Sequence, residues 1–433
     1  MQQNSNIARR HFLRSMLVAG VAPTFVPAHV LGKDAQTAPS DKISLGIIGV
    51  GAQGVHDMKN FLELDNVRVT AICDVNKHHI ERARKIIAEK YGSADVKVYS
   101  DFRDMNRDPS IDAVQMTLPV HWHSIPATDA ILNGKHIYHE KPMAMSFAEA
   151  AHVRDAVRKK NVVFQFGTQQ RSDLKFRWAC ELARNGRIGK LKEIKVAVPG
   201  GKQSEMLSEQ PVSDYVDWNR WVGPAAMTPF HTNKLKRDWH ENISNFSLGM
   251  ISCWGIHHLD IAQWGNDTDA TGPSSVEGSG RFPANGTCDA ILDWNVRLEY
   301  AKAAPITFVG HGRASVHFIG DAGSVYVNRQ EIKAPNDLLR DPVNKYGTMP
   351  IKLPVSINHM KDFIAAITSG RRSISDIETA VRGDTLCQLA LIAVKSGRKH
   401  QWDPATERFV NDDAANAMLQ AKPFRGDWAL PPL

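Results

Sequence analysis

Several common classes of protein are excluded by patterns that this 433-residue sequence lacks. It has only five cysteines and no C-x-x-C spacing, which argues against a zinc ribbon and a full disulfide framework, although one bridged pair stays possible in an oxidising compartment. No basic stripe with interleaved aromatics accompanies the net charge of +7, so we expect no nucleic-acid partner. Because the histidines include no H-E-x-x-H pattern and no pair four residues apart, we also expect no metal site.

The first 40 residues are predicted to be an export signal and a linker rather than part of the fold. Arg9 and Arg10 are followed, after one residue, by Phe12 and Leu13, as in twin-arginine signals. The apolar stretch 15–30 contains a glycine and two prolines, so we expect no membrane-spanning segment in the mature chain. The pattern predicts a periplasmic or otherwise exported protein.

The rest of the chain is predicted to be α/β and to form two domains followed by a tail. Residues 41–167 alternate short apolar strands with helices, which is typical of a doubly wound parallel sheet of the Rossmann type. Residues 168–400 carry four predicted helices, one of them from about Gly249 to Trp264, and closely spaced strands that include 290–294 and 297–301. This pattern predicts an α+β domain with an open, mainly antiparallel sheet. Residues 401–433 are predicted to be an irregular tail. Since exposed sheet faces are normally covered, we expect a homodimer or homotetramer.

A glycine-rich turn after the first strand predicts a dinucleotide site. Gly49, Gly51 and Gly54 form G-x-G-x-x-G, and the turn also contains Ala52 and Gln53. The glycines permit a tight turn, close approach of a diphosphate and close packing of the next helix. Twenty residues further on, the acid at position 74 ends the second strand, where a carboxylate accepts from ribose hydroxyls and repels a 2′-phosphate. Asp74 therefore favours NAD over NADP.

Four motifs together resemble the Gfo/Idh/MocA oxidoreductases, which include glucose–fructose oxidoreductase and inositol dehydrogenase. They are the glycine turn, Pro119-x-x-x-His123, Glu140-Lys141-Pro142, and a G-I-H-H-L-D sequence that begins at Gly255. The similarity spans about residues 42–400, and most members of the family act on sugars or polyols. It implies that Pro119, His123, Glu140 and Lys141 help to bind the cofactor.

Lys141 and His257 are the predicted catalytic residues. Lys141 follows a strand end, at the sheet edge where ligands bind, and in the family this lysine faces the substrate. Oxidation of an alcohol requires a group that takes the hydroxyl proton, and an imidazole is suited to that role. Asp260 lies three residues after His257 on the same helix face, so it is expected to orient the imidazole or bind substrate. Many relatives have an aspartate four residues before this histidine, where this chain has Cys253.

Further polar residues are predicted to contact the substrate. His123 follows a strand, and Gln169 and Arg171 follow the sixth strand, where amide and guanidinium groups suit sugar hydroxyls. His258 is an additional histidine beside His257.

Three functions remain open at this stage. The first is an NAD-dependent oxidoreductase for a sugar, polyol or glycoside. The second is an NAD-recycling glycoside hydrolase or lyase, which oxidises a glycoside hydroxyl, eliminates the aglycone from the keto-sugar, adds water and returns the hydride. The third is an inactive, NAD-bound sugar-binding protein. Because an exported enzyme has no free nicotinamide pool to reoxidise NADH, export favours a tightly bound cofactor that is recycled.

Overall fold

The computed structural model describes residues 42–340 and 348–433, so the predicted signal in residues 1–40 lies outside the described residues. The first sheet has six parallel strands in the order β3-β2-β1-β4-β5-β6. The order reverses on either side of β1, as in a doubly wound Rossmann sheet. The strands are β1 Ile43–Ile48, β2 Val67–Cys73, β3 Lys97–Tyr99, β4 Ala113–Met116, β5 His136–His139 and β6 Phe164–Phe166.

Five helices accompany this sheet. They are α1 Ala52–Leu62, α2 Lys77–Tyr91, α3 Phe102–Arg107, α4 Ser124–Leu132 and α5 Phe147–Lys160. The short helix α3 was not predicted from the sequence. It begins where the Asp101 side chain accepts a hydrogen bond from the backbone N–H of Arg103. The strands β1 and β4 are buried almost throughout, because helices cover both faces of the sheet.

The second sheet has nine strands in the order β13-β12-β11-β7-β10-β9-β8-β14-β15. They are β7 Leu191–Ala197, β8 Ser275–Arg281, β9 Asp293–Glu299, β10 Ile306–Val309, β11 Ser315–Gly320, β12 Ser324–Val327, β13 Ile332–Lys333, β14 His400–Asp403 and β15 Arg408–Phe409. All neighbours pair antiparallel except β10 and β7, which are parallel. The predicted fold class, a Rossmann sheet followed by a mainly antiparallel sheet, is confirmed.

The remaining helices lie after the first sheet in the chain. They are α6 Leu174–Arg184, α7 Trp218–Val222, α8 Arg237–His240, α9 Met250–Cys253, α10 Gly255–Gly265, α11 Asn336–Arg340, α12 His359–Ser369, α13 Ile377–Ser396 and α14 Asp413–Met418. The long α13 packs against α5, α10 and β8, so it joins the two sheets through one continuous apolar core. Residues 43–433 accordingly form one compact unit. Within the described residues, no helix is both long enough and apolar enough to span a membrane.

Three local predictions were wrong. The single helix expected from Gly249 to Trp264 is interrupted at Trp254 and forms α9 and α10. The expected irregular tail contributes β14 and β15, because the backbone at His400 pairs with the open edge of β8. Two strands expected around residue 295 form the single β9. The five cysteines are all buried free thiols.

Helix α10, which carries His257, lies close against the second sheet through glycines at both ends. A Cβ at Gly255 would lie 2.7 Å from Cζ of Phe308, and a Cβ at Gly265 would lie 2.3 Å from Cε1 of Phe318. Both phenylalanines are fully buried, so neither ring has free space to move into.

Gly265→Ala is therefore expected to lower the free energy of unfolding by about 1–3 kcal/mol through overpacking. Gly323→Ala is the control, because a Cβ there would meet nothing closer than 3.9 Å. Urea unfolding measures both values. Equal stability of the two variants would contradict the close contact between α10 and the sheet.

Candidate active site

A cavity of about 440 Å3 opens at the carboxyl edge of the first sheet. Of the ten residues that the sequence predicts as cofactor ligands, all but His123 line it. These lining residues are Gly49, Gly51, Ala52, Gln53, Gly54, Asp74, Pro119, Glu140 and Lys141. The structure therefore brings these predicted residues together from four strand ends. They meet at the topological switch point, where open α/β sheets bind ligands.

The three glycines of the turn serve different purposes. Gly49 has a φ of 85°, and a Cβ there would lie 2.1 Å from the carbonyl oxygen of Thr117. A Cβ at Gly54 would lie 2.0 Å from the carbonyl oxygen of Gly49. At Gly51 a Cβ would meet only the ring of His79, 3.8 Å away. Gly49 and Gly54 are thus required by the protein's own packing, whereas Gly51 leaves open space at the N-terminus of α1, where a diphosphate is favoured.

Asp74 is held in place at the end of β2. Its Oδ2 accepts a hydrogen bond of 2.9 Å from the backbone N–H of Val50, and its Oδ1 accepts one of 2.9 Å from that of Asn76. The carboxylate lines the cavity next to the glycine turn, where an acidic residue accepts from the ribose hydroxyls of a dinucleotide. The residues present therefore fit NAD.

Glu140 is buried and is held by two donors. Nε2 of Gln169 donates to Oε1 at 2.7 Å, and the backbone N–H of Lys141 donates to Oε2 at 3.2 Å. A Cβ at Gly167 would lie 2.4 Å from Glu140 Oε1, so a side chain at this position would displace the Glu140 carboxylate. The Gln169 amide, which the sequence assigned to substrate, is occupied in orienting Glu140.

Lys141 is paired with a carboxylate that the sequence analysis missed. Its Nζ lies 3.6 Å from Oε1 of Glu241, and Arg237 donates to the same oxygen from Nε at 3.0 Å. Burial opposes ionisation of Glu241, but the charges of Lys141 and Arg237 outweigh it and hold its pKa below the usual value. Glu241 is therefore a carboxylate at neutral pH. It follows α8 in a region without a recognisable motif, so no sequence signal identified it.

Glu241 lies near Cys253, which stands where the family resemblance implies an aspartate. Burial first, and then the charge of Glu241, raise the pKa of the Cys253 thiol to about 12. The thiol is therefore neutral, and its Sγ lies 3.2 Å from the hydroxyl oxygen of Ser247. The negative charge on this side of the cavity comes from Glu241 and not from α9.

His257 is a neutral imidazole close to Lys141. Its side chain is almost completely buried, and burial first, then the charges of Lys141 and Arg329, lower its pKa well below the usual value. Its Nδ1 is buried and has no hydrogen-bond partner among the described residues. The lowered pKa makes this imidazole a weak base, and His257 is not among the residues that line the cavity, so its role as the base stays a prediction.

The structure gives Arg171 and Asp260 a structural role in place of the predicted contact with substrate. Nη2 and Nε of Arg171 donate to Asp260 at 2.7 and 2.8 Å, and a second acid, Asp269, accepts from Nη2 at 2.9 Å. Arg171 and Asp260 are 3% and 2% exposed. Asp260 consequently does not orient His257.

Two histidines predicted to bind substrate are also structural. Nε2 of His123 lies 2.7 Å from the carbonyl oxygen of Leu118, and its Nδ1 is beside that of Pro142, so the ring joins two turns below the cavity. His258 is fully buried and its Nε2 contacts the Gln170 amide. Burial lowers the pKa of His123 to about 4 and that of His258 to about 3. The described residues contain no group of three or more potential ligands placed to hold a metal ion.

A segment over residues 200–247, here called the cap, covers the cavity from outside the first sheet. Its own small core contains Val216, Trp218, Val222, Ala225, Phe230, Ile243 and Phe246. The backbone N–H of Asp217 donates to the carbonyl of Val75 at 3.1 Å, and Lys77 N–H donates to the carbonyl of Tyr215 at 2.8 Å. The cap places Arg237, Glu241 and other side chains against the cavity.

The Rossmann sheet and its cavity define an oxidoreductase with an NAD-binding domain, and comparison with family models gives the particular family. Residues 43–168 match the model described as "Oxidoreductase family, NAD-binding Rossmann fold", and residues 196–430 match "Oxidoreductase family, C-terminal alpha/beta domain". The chain belongs to the Gfo/Idh/MocA oxidoreductase family.

Curated relatives match over part of the chain. The uncharacterized oxidoreductase YrbE of Bacillus subtilis is 31% identical over 43% of this chain and 50% of its own. A glycosyl hydrolase family 109 protein of a Shewanella strain is 30% identical over 34% and 36%. The α-N-acetylgalactosaminidase of Shewanella oneidensis is 27% identical over 36% and 38%. The chain thus spans half or less of the length of these relatives.

Solved structures agree on the fold. Scyllo-inositol dehydrogenase of Lactobacillus casei, solved with NAD(H) and scyllo-inositol, is 18% identical with a TM-score of 0.59, over 83% of this chain and 99% of that one. The WlbA dehydrogenase of Bordetella pertussis, solved with NADH and UDP-GlcNAcA, is 18% identical with a TM-score of 0.62, over 83% and 98%.

The open space at Gly51 yields a direct test of cofactor binding. Gly51→Ala is expected to fold with an unchanged melting temperature, because the new methyl group meets no backbone. It is expected to weaken NAD binding at least about tenfold, because the methyl group occupies the space for the diphosphate. Calorimetric titration with NAD measures the affinity. Unchanged affinity would show that the diphosphate lies elsewhere.

Asp384 lies beneath the turn that carries Lys141. Its Oδ1 accepts from the backbone N–H of Met143 at 3.1 Å, and its Oδ2 accepts from Nε2 of Gln388 at 3.2 Å. Burial raises its pKa to about 7. Between the ordinary pKa of an aspartate and 7, the native state binds a proton that the unfolded state does not, so this group makes stability fall as pH rises.

Asp384→Asn removes that proton linkage. Relative to the wild type, the variant is expected to gain roughly 2–3 kcal/mol of stability when the pH is raised from 5 to 8. Urea unfolding at both pH values gives the difference. A difference that does not depend on pH would mean that Asp384 ionises normally in the folded protein.

Proposed function

We propose that this protein is an NAD-dependent oxidoreductase that acts on a sugar, polyol or glycoside and keeps its cofactor bound through turnover. The observation that carries the proposal is the buried Lys141–Glu241 pair, which borders the same cavity as the glycine turn and lies close to a neutral His257. The family resemblance, which implies sugars or polyols as substrates, and the scyllo-inositol dehydrogenase of similar fold support this substrate class.

Each of the three side chains has a distinct role in this proposal. A bound NAD supplies the acceptor for the hydride that leaves the carbinol carbon. His257 accepts the hydroxyl proton, so the alcohol becomes a ketone and no charge is left on oxygen. Lys141 donates a hydrogen bond to the reacting oxygen, and Glu241 holds the Lys141 side chain in position from 3.6 Å.

Retention and recycling of the cofactor follow from the proposed location. The twin-arginine pattern at residues 9–13 supports export, and the twin-arginine route carries proteins that are already folded, so a cofactor can be inserted beforehand. Outside the cytoplasm, a reaction that reduces NAD must also reoxidise it on the same protein. A redox-neutral cycle, in which a second sugar or a keto intermediate takes the hydride back, meets that requirement.

A second candidate is a glycosidase that recycles NAD through a keto-sugar. The names of several relatives, which include glycosyl hydrolase family 109 proteins and an α-N-acetylgalactosaminidase, favour it. Cys253, at a position where the family resemblance implies an aspartate, also favours a mechanism other than that of a simple dehydrogenase. Oxidation of a sugar hydroxyl to a ketone acidifies the neighbouring C–H bond, so that loss of this proton eliminates the aglycone. Water then adds to the double bond, and return of the hydride reduces the ketone to the alcohol.

Two assays separate the candidates. Sugars and polyols are tested one at a time at stoichiometric enzyme, with no second sugar to take the hydride back, for reduction of the bound NAD to NADH by absorbance. Nitrophenyl glycosides, including the N-acetyl-α-galactosaminide, are tested for nitrophenol release without net NADH. NADH formation supports the dehydrogenase, and nitrophenol release alone supports the glycosidase. If neither occurs, the enzymatic proposal fails and an inactive, NAD-bound sugar-binding protein is left.

Lys141→Met is expected to lower kcat at least about a hundredfold, because it removes the hydrogen-bond donor to the reacting oxygen. Glu241→Gln is expected to lower kcat about tenfold, because it removes the charge that holds the Lys141 side chain in position. NAD affinity of Glu241→Gln is expected to change little. Glu407→Gln is the control, since Glu407 is similarly buried in an ion pair with Arg154, away from the cavity. If Glu241→Gln is as active as Glu407→Gln, Glu241 has no role in the reaction.

A further inference from the structure

Residues 425–431, here called the strap, lie across the cap at the outer end of the cavity. Nη1 of Arg425 donates to Oδ1 of Asn219 and Nη2 donates to its carbonyl oxygen, both at 2.9 Å. Nε donates to the carbonyl of Gly223 at 2.9 Å, and the backbone N–H donates to that of Pro224 at 2.9 Å. Hydrogen bonds from a guanidinium are among the stronger ones, so the strap is firmly attached to α7.

The other end of the strap is attached to the first domain. The carbonyl oxygen of Pro431 accepts from Nε2 of His152, on α5, at 2.9 Å. Between these two anchors, the indole of Trp428 stacks on Phe102 with ring centroids 6.2 Å apart and meets Trp122 edge-on at 4.7 Å. The anchors therefore fix where Trp428 lies.

Trp428 lines the dinucleotide cavity together with Phe102. Phe102 follows β3, whereas Lys141 follows β5, and these strands lie on opposite sides of β1 in the sheet. The glycine turn follows β1 and Asp74 ends β2, so a dinucleotide with its diphosphate at the turn and a ribose at Asp74 has its adenosine half on the side of β3. Trp428 is thus on the adenosine side, far from the reacting groups.

We propose that Trp428 is part of the adenosine site and that the strap prevents the dinucleotide from leaving. This inference rests on the proposed retention of the cofactor and names the element that causes it. The Trp428 indole is contacted by Phe102 and by the Arg103 guanidinium, whose Cζ lies 5.1 Å from the ring centroid, and the part of the ring that lines the cavity gives a purine an aromatic surface to pack against. Release would require the strap to detach from the cap, and the cap is itself bound to the first domain, where Arg220 Nη1 donates to the carbonyl of Ser100 at 2.9 Å.

The test measures exchange of the cofactor and needs no activity. Protein loaded with radiolabelled NAD is mixed with excess unlabelled NAD, and the label left on the protein is followed after rapid filtration. The wild type is expected to exchange slowly. Trp428→Ala is expected to exchange about tenfold to a hundredfold faster, the usual effect of losing one aromatic–base stack. Trp428→Phe, which keeps an aromatic face, is expected to stay within about threefold of the wild type.

Phe424→Ala is the matched control, because Phe424 immediately precedes the strap and lines a different cavity. Its exchange rate is expected to equal that of the wild type. If Trp428→Ala does not fold, as judged by its melting curve, Trp428→Leu takes its place. A Trp428 variant that exchanges no faster than Phe424→Ala overturns the role of the strap while leaving retention intact. Rapid exchange by the wild type overturns both the role of the strap and the retention of the cofactor. The proposed reaction is then still tested by a separate measurement of hydride transfer.

Discussion

The close approach of α1 to the end of β1 is the constraint on which the rest of the site depends. A Cβ at Gly54 would come within 2.0 Å of the Gly49 carbonyl oxygen, so the helix can begin there only because both positions are glycine. This contact directs the first backbone N–H groups of α1 into the cavity and leaves space above Gly51. Asp74 is fixed by the same turn, through the N–H of Val50.

Charge in the remainder of the cavity is arranged around one buried pair. Glu241 stays ionised because Lys141 and Arg237 are close, and His257 stays neutral because it is buried near the same cations. A single region thereby contains an ionised carboxylate and a neutral imidazole, the two charge states on which the proposed removal of a hydroxyl proton depends. The cap supplies Arg237 and Glu241 to this arrangement, and their burial strengthens the electrostatic interactions with Lys141.

The sequence predicts local backbone patterns better than it predicts long-range contacts. The glycine turn, Asp74 and the Glu140–Lys141 turn were predictable, because each lies at a strand end and strand ends converge at one sheet edge. Arg171 and Asp260 were assigned to substrate because their positions are near that edge, but the distant Asp269 completes a buried ion pair with them. Glu241 and Trp428 could not be found, since they reach the cavity from segments without periodicity or motif.

Retention of a dinucleotide is tested most directly by the cofactor content of the purified protein. The protein is desalted extensively and denatured, and the released small molecules are identified by absorbance and mass. We expect NAD or NADH in a near-stoichiometric amount, because the proposed site is enclosed by the turn, the cap and the strap. If denaturation releases no dinucleotide and added NAD binds weakly, the protein does not retain its cofactor and the proposed site is wrong.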